Sequence, residues 1–169
     1  MERVRYYGPK DVRTLSKKAK YGLRALYCLA RNYGQGPMLI ATLAEQETIP
    51  LKFLELILLE LKNHGVVDSK KGKNGGYFLN QPPEQVTLGS VVRIMDGPLA
   101  PLPCASETAF RQCEECPDIR LCGTRIVMRQ VRDATAAILD HTTLLDVLRQ
   151  VDEAGSSITT RKKVLTPRR

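Results

Sequence analysis

The 169-residue chain is 43% hydrophobic, only 5% aromatic and free of Trp, and it carries a net charge of +8 at pH 7. Such an aliphatic composition favours helix-on-helix packing, because Leu and Ala are good helix formers. No segment approaches the roughly 18 apolar residues that a membrane-spanning helix needs, and the charged Met1–Arg13 lacks a signal peptide's apolar core, so a cytoplasmic protein without a membrane partner is expected.

The charge is uneven. Residues 1–80 hold 14 Lys/Arg against seven Asp/Glu, whereas residues 81–169 hold 12 against 11, five of those 12 in the tail from Arg161 onward. A basic front and an acidic back predict one end that meets a polyanion and one that assembles or senses. Five cysteines in a reducing compartment argue against a disulfide frame and for metal or redox chemistry where they cluster.

In chain order, 1–13 has no clean period and is expected to be a loose extension. Ser16 is a plausible N-cap for a helix whose apolar residues Leu23, Leu26, Tyr27 and Ala30 recur at helical spacing; Asn32–Pro37 ends it. A short helix is predicted over Ile40–Gln46, a tight break at Thr48–Pro50, and a longer helix over Leu51–Asn63 that stops at His64-Gly65. Val66–Ser69 and Tyr77–Leu79 read as strands around the basic, Gly-rich turn Lys70–Gly76. After Pro82-Pro83 a further helix runs from Thr87 to Asp96-Gly97. An extended Pro-containing stretch leads into a cysteine loop, then into a long helix over Thr124–Leu139 with a wide apolar face (Ile126, Val127, Val131, Ala134, Ile138). Thr142 or Thr143 caps a last short helix through Leu148, and the basic residues that follow are expected to be disordered.

A short-turn helix pair followed by a basic hairpin predicts a mostly α fold with a winged helix-turn-helix. Leu54, Ile57, Leu58 and Leu61 form the core face of its third helix. Lys52 and Glu55 lie opposite and can meet guanine or phosphate and cytosine N4 respectively. Leu56 and Leu59 share that opposite side; they either pack on thymine methyls or are further core. At the hairpin tip, Lys70, Lys71 and Lys73 can neutralise phosphates, and Asn74 and Gly75 let the tip approach the sugar-phosphate wall. Double-stranded DNA is therefore the expected partner.

Cys104, Cys113, Cys116 and Cys122 read C-x8-C-x2-C-x5-C amid proline and charge. Thiolate is the ligand form for iron–sulfur clusters and for zinc, and a ligand-free thiol switch uses the same residues. Cys28 sits among Leu26, Leu29 and Ala30 and is expected to be a small core residue. An enzyme is not expected: Pro117 follows the C-x2-C pair, no βαβ pattern accompanies it, and neither a nucleophile–base pair nor a phosphate loop is present.

Several pieces resemble the Rrf-two family of winged helix-turn-helix transcriptional regulators: Leu15-Ser16 with Lys20-Tyr21, Ile49–Glu55 entering the third helix, Gly72–Tyr77 at the wing, and Cys104–Cys122 before a long helix. The resemblance spans about Arg13 to Leu148. It implies a homodimer joined through the long C-terminal helix, a near-palindromic operator, repression, and a 2Fe–2S or 4Fe–4S cluster that senses redox state, iron or nitric oxide. The alternative is a zinc-stabilised or thiol-switched regulator. Cys104, Cys116 and Cys122 match the three cysteines that cluster-binding members commonly use. The chain departs from the pattern at the fourth ligand: Arg125 stands where one branch has histidine, and Lys20 falls near the acidic ligand of another. Cys113, an addition to the pattern, is the expected fourth ligand. The implied organisation is an extension (1–13), a DNA-binding domain (14–80), a cysteine-loop sensor and dimerisation region (81–150) and a disordered basic tail (151–169).

Overall fold

The structure, a computed structural model, describes residues 15–114, 116 and 118–164, with side chains up to Ser156. The extension expected over 1–13 and the last five residues lie outside the described residues. Among the described residues, six α-helices and one two-stranded sheet make up the fold.

Helix α1 (Lys17–Arg31) is capped by Ser16, whose side chain accepts from the Ala19 amide at 3.0 Å. Ser16 also binds the Asp96 carboxylate through its own amide, at 2.9 Å, and its hydroxyl. This cap therefore ties the start of α1 to the end of α4 (Leu88–Asp96). Helix α2 (Ile40–Gln46) turns into α3 (Leu51–Asn63) through Thr48, which takes φ 50°. A β-branched residue rarely adopts that conformation; it lets the Ile49 amide reach back to Ala44 O at 2.9 Å. Pro50 then starts α3, and His64 caps it.

Strands β1 (Val67–Lys70) and β2 (Gly76–Leu79) pair antiparallel, with Val67 opposite Leu79 and Lys70 opposite Gly76. Met38 and Tyr77 exchange two 2.8 Å backbone hydrogen bonds, which pin the hairpin to the segment before α2. This needs glycine at 76: its φ is 151°, and a Cβ there would strike the Met38 carbonyl.

Fully buried Leu26, Leu43, Leu54, Ile57, Leu58, Leu61, Val67, Val91 and Leu144 form one core. Leu144 belongs to α6 (Leu144–Val164), which follows α5 (Gly123–Leu139). The α5–α6 corner is stitched to the front of α4, where Leu88 N meets Thr142 O and Leu144 N meets Val86 O, both at 2.9 Å.

Two sequence expectations are corrected. The last helix does not stop at Leu148, and 151–164 is helical rather than a disordered tail. A reciprocal cap starts it: Thr143 N donates to Asp146 Oδ2 (3.0 Å) and Asp146 N to Thr143 Oγ1 (3.1 Å). Arg31 of α1 then holds Asp152 at 2.8 Å, and no proline intervenes before Pro167. The stretch expected to be extended also contains a 3-10 turn at Pro103–Ala105.

Candidate nucleic-acid interface and cysteine turn

Helix α3 divides cleanly. Leu54, Ile57, Leu58 and Leu61 are 0% exposed. On the other side Lys52, Glu55, Leu56, Leu59 and Asn63 are all exposed, the two leucines at 63% and 53%. Leu56 and Leu59 are therefore not core residues. Lys52 and Glu55 stand one turn apart with a loose 3.9 Å approach, so both remain available to a ligand. Lys18 of α1 is engaged by Glu60 at 2.5 Å, whereas Lys17 and Lys20 are exposed.

The wing carries Lys70, Lys71, Lys73 and Asn74 exposed around its tip. Gly75 is turned inward, its amide donating to Gly72 O at 2.9 Å. Gly75 thus shapes the tip, and the lysines present the charge. Lys62 is occupied closer to the body, with Asp68 at 2.8 Å and Ser69 at 2.6 Å.

The cysteines fall into two places. Cys28 is half-buried in α1, its thiol donating to Gln46 Oε1 at 3.2 Å; burial pushes this thiol up, with Glu47 adding to the shift. The other four lie together between α4 and α5. Cys104 is buried in the Pro103–Ala105 turn, Cys113 is exposed, Cys116 is half-buried, and Cys122 is the N-cap of α5. The Cys113 thiol is raised first by a hydrogen bond with Cys104, then by burial and by the charge of the other three. Burial and then a hydrogen bond with Cys122 raise Cys116. The charges of the four loop thiols thus act on one another across the turn.

These donors fit a thiolate-held group by chemistry, since soft sulfur ligands suit both iron–sulfur clusters and zinc. Among the described residues, however, no three His, Cys, Asp or Glu side chains converge on one ion. A lone zinc needs four donors around a point. An iron–sulfur cluster distributes its thiolates over two or more irons, so its ligands need not all surround one point.

Two arginines that sequence reasoning did not assign to the site grip this turn from α5. Arg125 Nε donates to Cys104 O at 2.8 Å, and its guanidinium lies 6.0 Å from the Phe110 ring centre. Arg132, only 8% exposed, donates to Ala105 O at 2.7 Å, pairs with Glu107 at 3.1 Å and binds Asp133. Arg132 is the one residue of α5 buried within its own chain. Neither of the two stands out in the sequence, because α5 carries three arginines, Arg125, Arg129 and Arg132. The apolar residues Ile126, Val127, Val131 and Ile138 are 42–67% exposed.

A closely turned helix pair with one sealed and one open face, followed by a lysine-tipped hairpin, defines a winged helix-turn-helix protein of the DNA-binding kind. The Rrf2 family model, described as "Iron-dependent Transcriptional regulator", matches residues 15–150, and the chain belongs to that family. It is 39% identical to an rrf2-like HTH-type protein of Rhodobacter capsulatus, over 79% of this chain and 91% of that one. It is 33% identical to the HTH-type transcriptional regulator CymR of Bacillus subtilis, over 82% and 91% of the two chains. The solved structure of that CymR, described as a global cysteine regulator, superposes with a TM-score of 0.66 at 30% identity, covering 80% of this chain and 96% of that one. The structure of IscR from T. potens superposes with a TM-score of 0.68 at 26% identity, covering 87% and 93%. No helix among the described residues is long and apolar enough to cross a membrane.

Proposed function

We propose that this chain is a cytoplasmic, homodimeric transcriptional repressor, not an enzyme, whose hold on a DNA operator is set by an iron–sulfur cluster on Cys104, Cys113, Cys116 and Cys122. The observation that carries this is the placement of those four cysteines on a turn between α4 and α5 that Arg125 and Arg132 fasten to α5. When bound, the cluster supplies iron chemistry responsive to oxidants, nitric oxide or iron supply. The protein's own residues do the rest. Arg132 couples the backbone of the turn to α5, and the apolar stripe Val127, Val131, Ala134 and Ile138 on α5 recurs at four- and three-residue spacing, the seam of a paired helix. A change in the turn's shape then alters the setting of two reading heads about one DNA turn apart. Lys52 and Glu55 contact base edges, Lys70, Lys71 and Lys73 hold phosphates, and Asn74 and Gly75 form the tip that brings them there.

A second reading is a zinc-stabilised or thiol-switched regulator; among the described residues no three candidate ligands converge on one ion, which suits its metal-free, thiol-switched form. Air-free purification followed by visible absorbance, iron and sulfide analysis and DNA footprinting at fixed salt separates the two. A coloured, iron- and sulfide-containing protein whose footprint changes on cluster removal is expected. Colourless protein with stoichiometric zinc, or a footprint responding only to thiol oxidants, would overturn the cluster in favour of the second reading.

A further inference from the structure

The exposed leucines of α3 are anomalous for a soluble surface. Leu56 and Leu59 present most of their side chains to solvent while the same helix seals four other aliphatics completely. Folding does not need them, because the opposite face supplies the whole α3 contribution to the core. Polar residues at both positions would avoid exposing apolar surface. Yet the stripe Lys52, Leu56, Leu59 and Asn63 follows i, i+4, i+7, i+11, so all four face one way, with Glu55 at its edge.

We infer that Leu56 and Leu59 read thymine, their side chains packing on C5-methyl groups in the floor of the major groove. This rests on the DNA-binding reading above and gives its sequence chemistry. Charge selects the occupant. The stripe begins at Lys52, whose side chain is 94% exposed, and the hairpin following α3 carries three exposed lysines. An apolar strip framed by cations matches a polyanion with methyl groups in its groove better than an uncharged protein surface. Thymine is the one unmodified base that offers a methyl there. Glu55 next to Leu56 adds an acceptor for cytosine N4, so the half-site is predicted to combine thymine steps with an adjoining cytosine.

The test uses the full-length protein, loaded or bare as purified, in two stages. Selection from a random duplex pool yields the preferred half-site. Each thymine in it is then replaced singly by deoxyuridine, which removes the methyl and leaves base pairing intact. At one or two positions per half-site, wild-type affinity falls roughly four-fold per methyl, the value of one buried carbon. Leu56→Ser and Leu59→Ser bind more weakly and no longer distinguish thymine from uracil at those positions. Thymine and uracil duplexes bound equally well at every position would overturn the inference while leaving sequence-specific DNA binding intact. If, in addition, the two serine variants kept full affinity, the leucines would belong to a protein partner instead. A pool that yields no preferred sequence would overturn the DNA-reading function itself.

Discussion

Arg93 and Asp140 form a two-pronged ion pair, Nη1 to Oδ1 at 2.5 Å and Nη2 to Oδ2 at 2.9 Å, joining α4 to the end of α5 across 47 residues of sequence. The hydrogen bond from Arg93 is the main reason the Asp140 carboxyl is held below the usual carboxylate range, with His141 adding a smaller pull. A depressed folded pKa stabilises the fold above the unfolded carboxylate value, about 4. That stability is lost as pH falls through Asp140's lower folded value. Both side chains are about a third exposed, so screening limits the contribution to about 1 kcal/mol. Asp140→Asn should cost that much near neutrality and flatten the acid limb of stability against pH, as read by urea unfolding at stepped pH.

The same pair dictates the residue beneath it. A Cβ on Gly89 would strike the Asp140 carboxylate and crowd Arg93. Gly89→Ala, which ordinarily favours a helix, should here destabilise by about 1–3 kcal/mol through overpacking. In the Asp140→Ala background the penalty should shrink, which a double-mutant cycle would measure.

Arg132 is a buried cation satisfied by one carbonyl and two carboxylates. Arg132→Ala should lose about 2 kcal/mol, the range for hydrogen bonds to charged groups, and raise protease cleavage in 103–122. Arg132→Lys should recover only part, because a single ammonium cannot reproduce the planar fork. Denaturation midpoints and limited proteolysis would check both.

The apolar stripe of α5 should be the assembly surface. Val131→Glu places a charge in the seam without touching the protomer core, so sedimentation should show a folded monomer with helical content retained. DNA affinity should fall far below that of the parent, since one half-site contact is lost.

The wing lysines should act through phosphate. Lys71→Ala and Lys73→Ala should weaken binding nearly equally on all sequences. Each should also reduce the slope of log affinity against log salt by about 0.9 if it neutralises one phosphate, unlike a change at Glu55, which should relax sequence preference.

Much of this architecture is legible before folding. Helices α2 and α3 match the residue bounds that local signals predict, because Pro50 and Gly65 punctuate them and the leucines of α3 recur at helical spacing. The hairpin follows from its Gly-rich turn, with β1 displaced by one residue and β2 starting one residue earlier. The extent of α6 was hidden because Gly155 and the serines around it weaken helix propensity, while the Arg31–Asp152 tie spans 121 residues of sequence. The arginine grip on the cysteine turn was hidden for the same reason: its acceptors are backbone carbonyls 21 and 27 residues away. Residue type alone does not encode such partners.

Within its own chain α5 buries only Arg132, so in the proposed dimer its apolar side is completed by the other copy. In a cell expressing equally one intact allele and one whose wing is crippled but whose α5 is sound, only about a quarter of the pairs would be fully intact, and the mixed pairs would each lack half their grip on the operator. Such an allele would be dominant, and its severity would follow the expression ratio of the two copies rather than the stability of either.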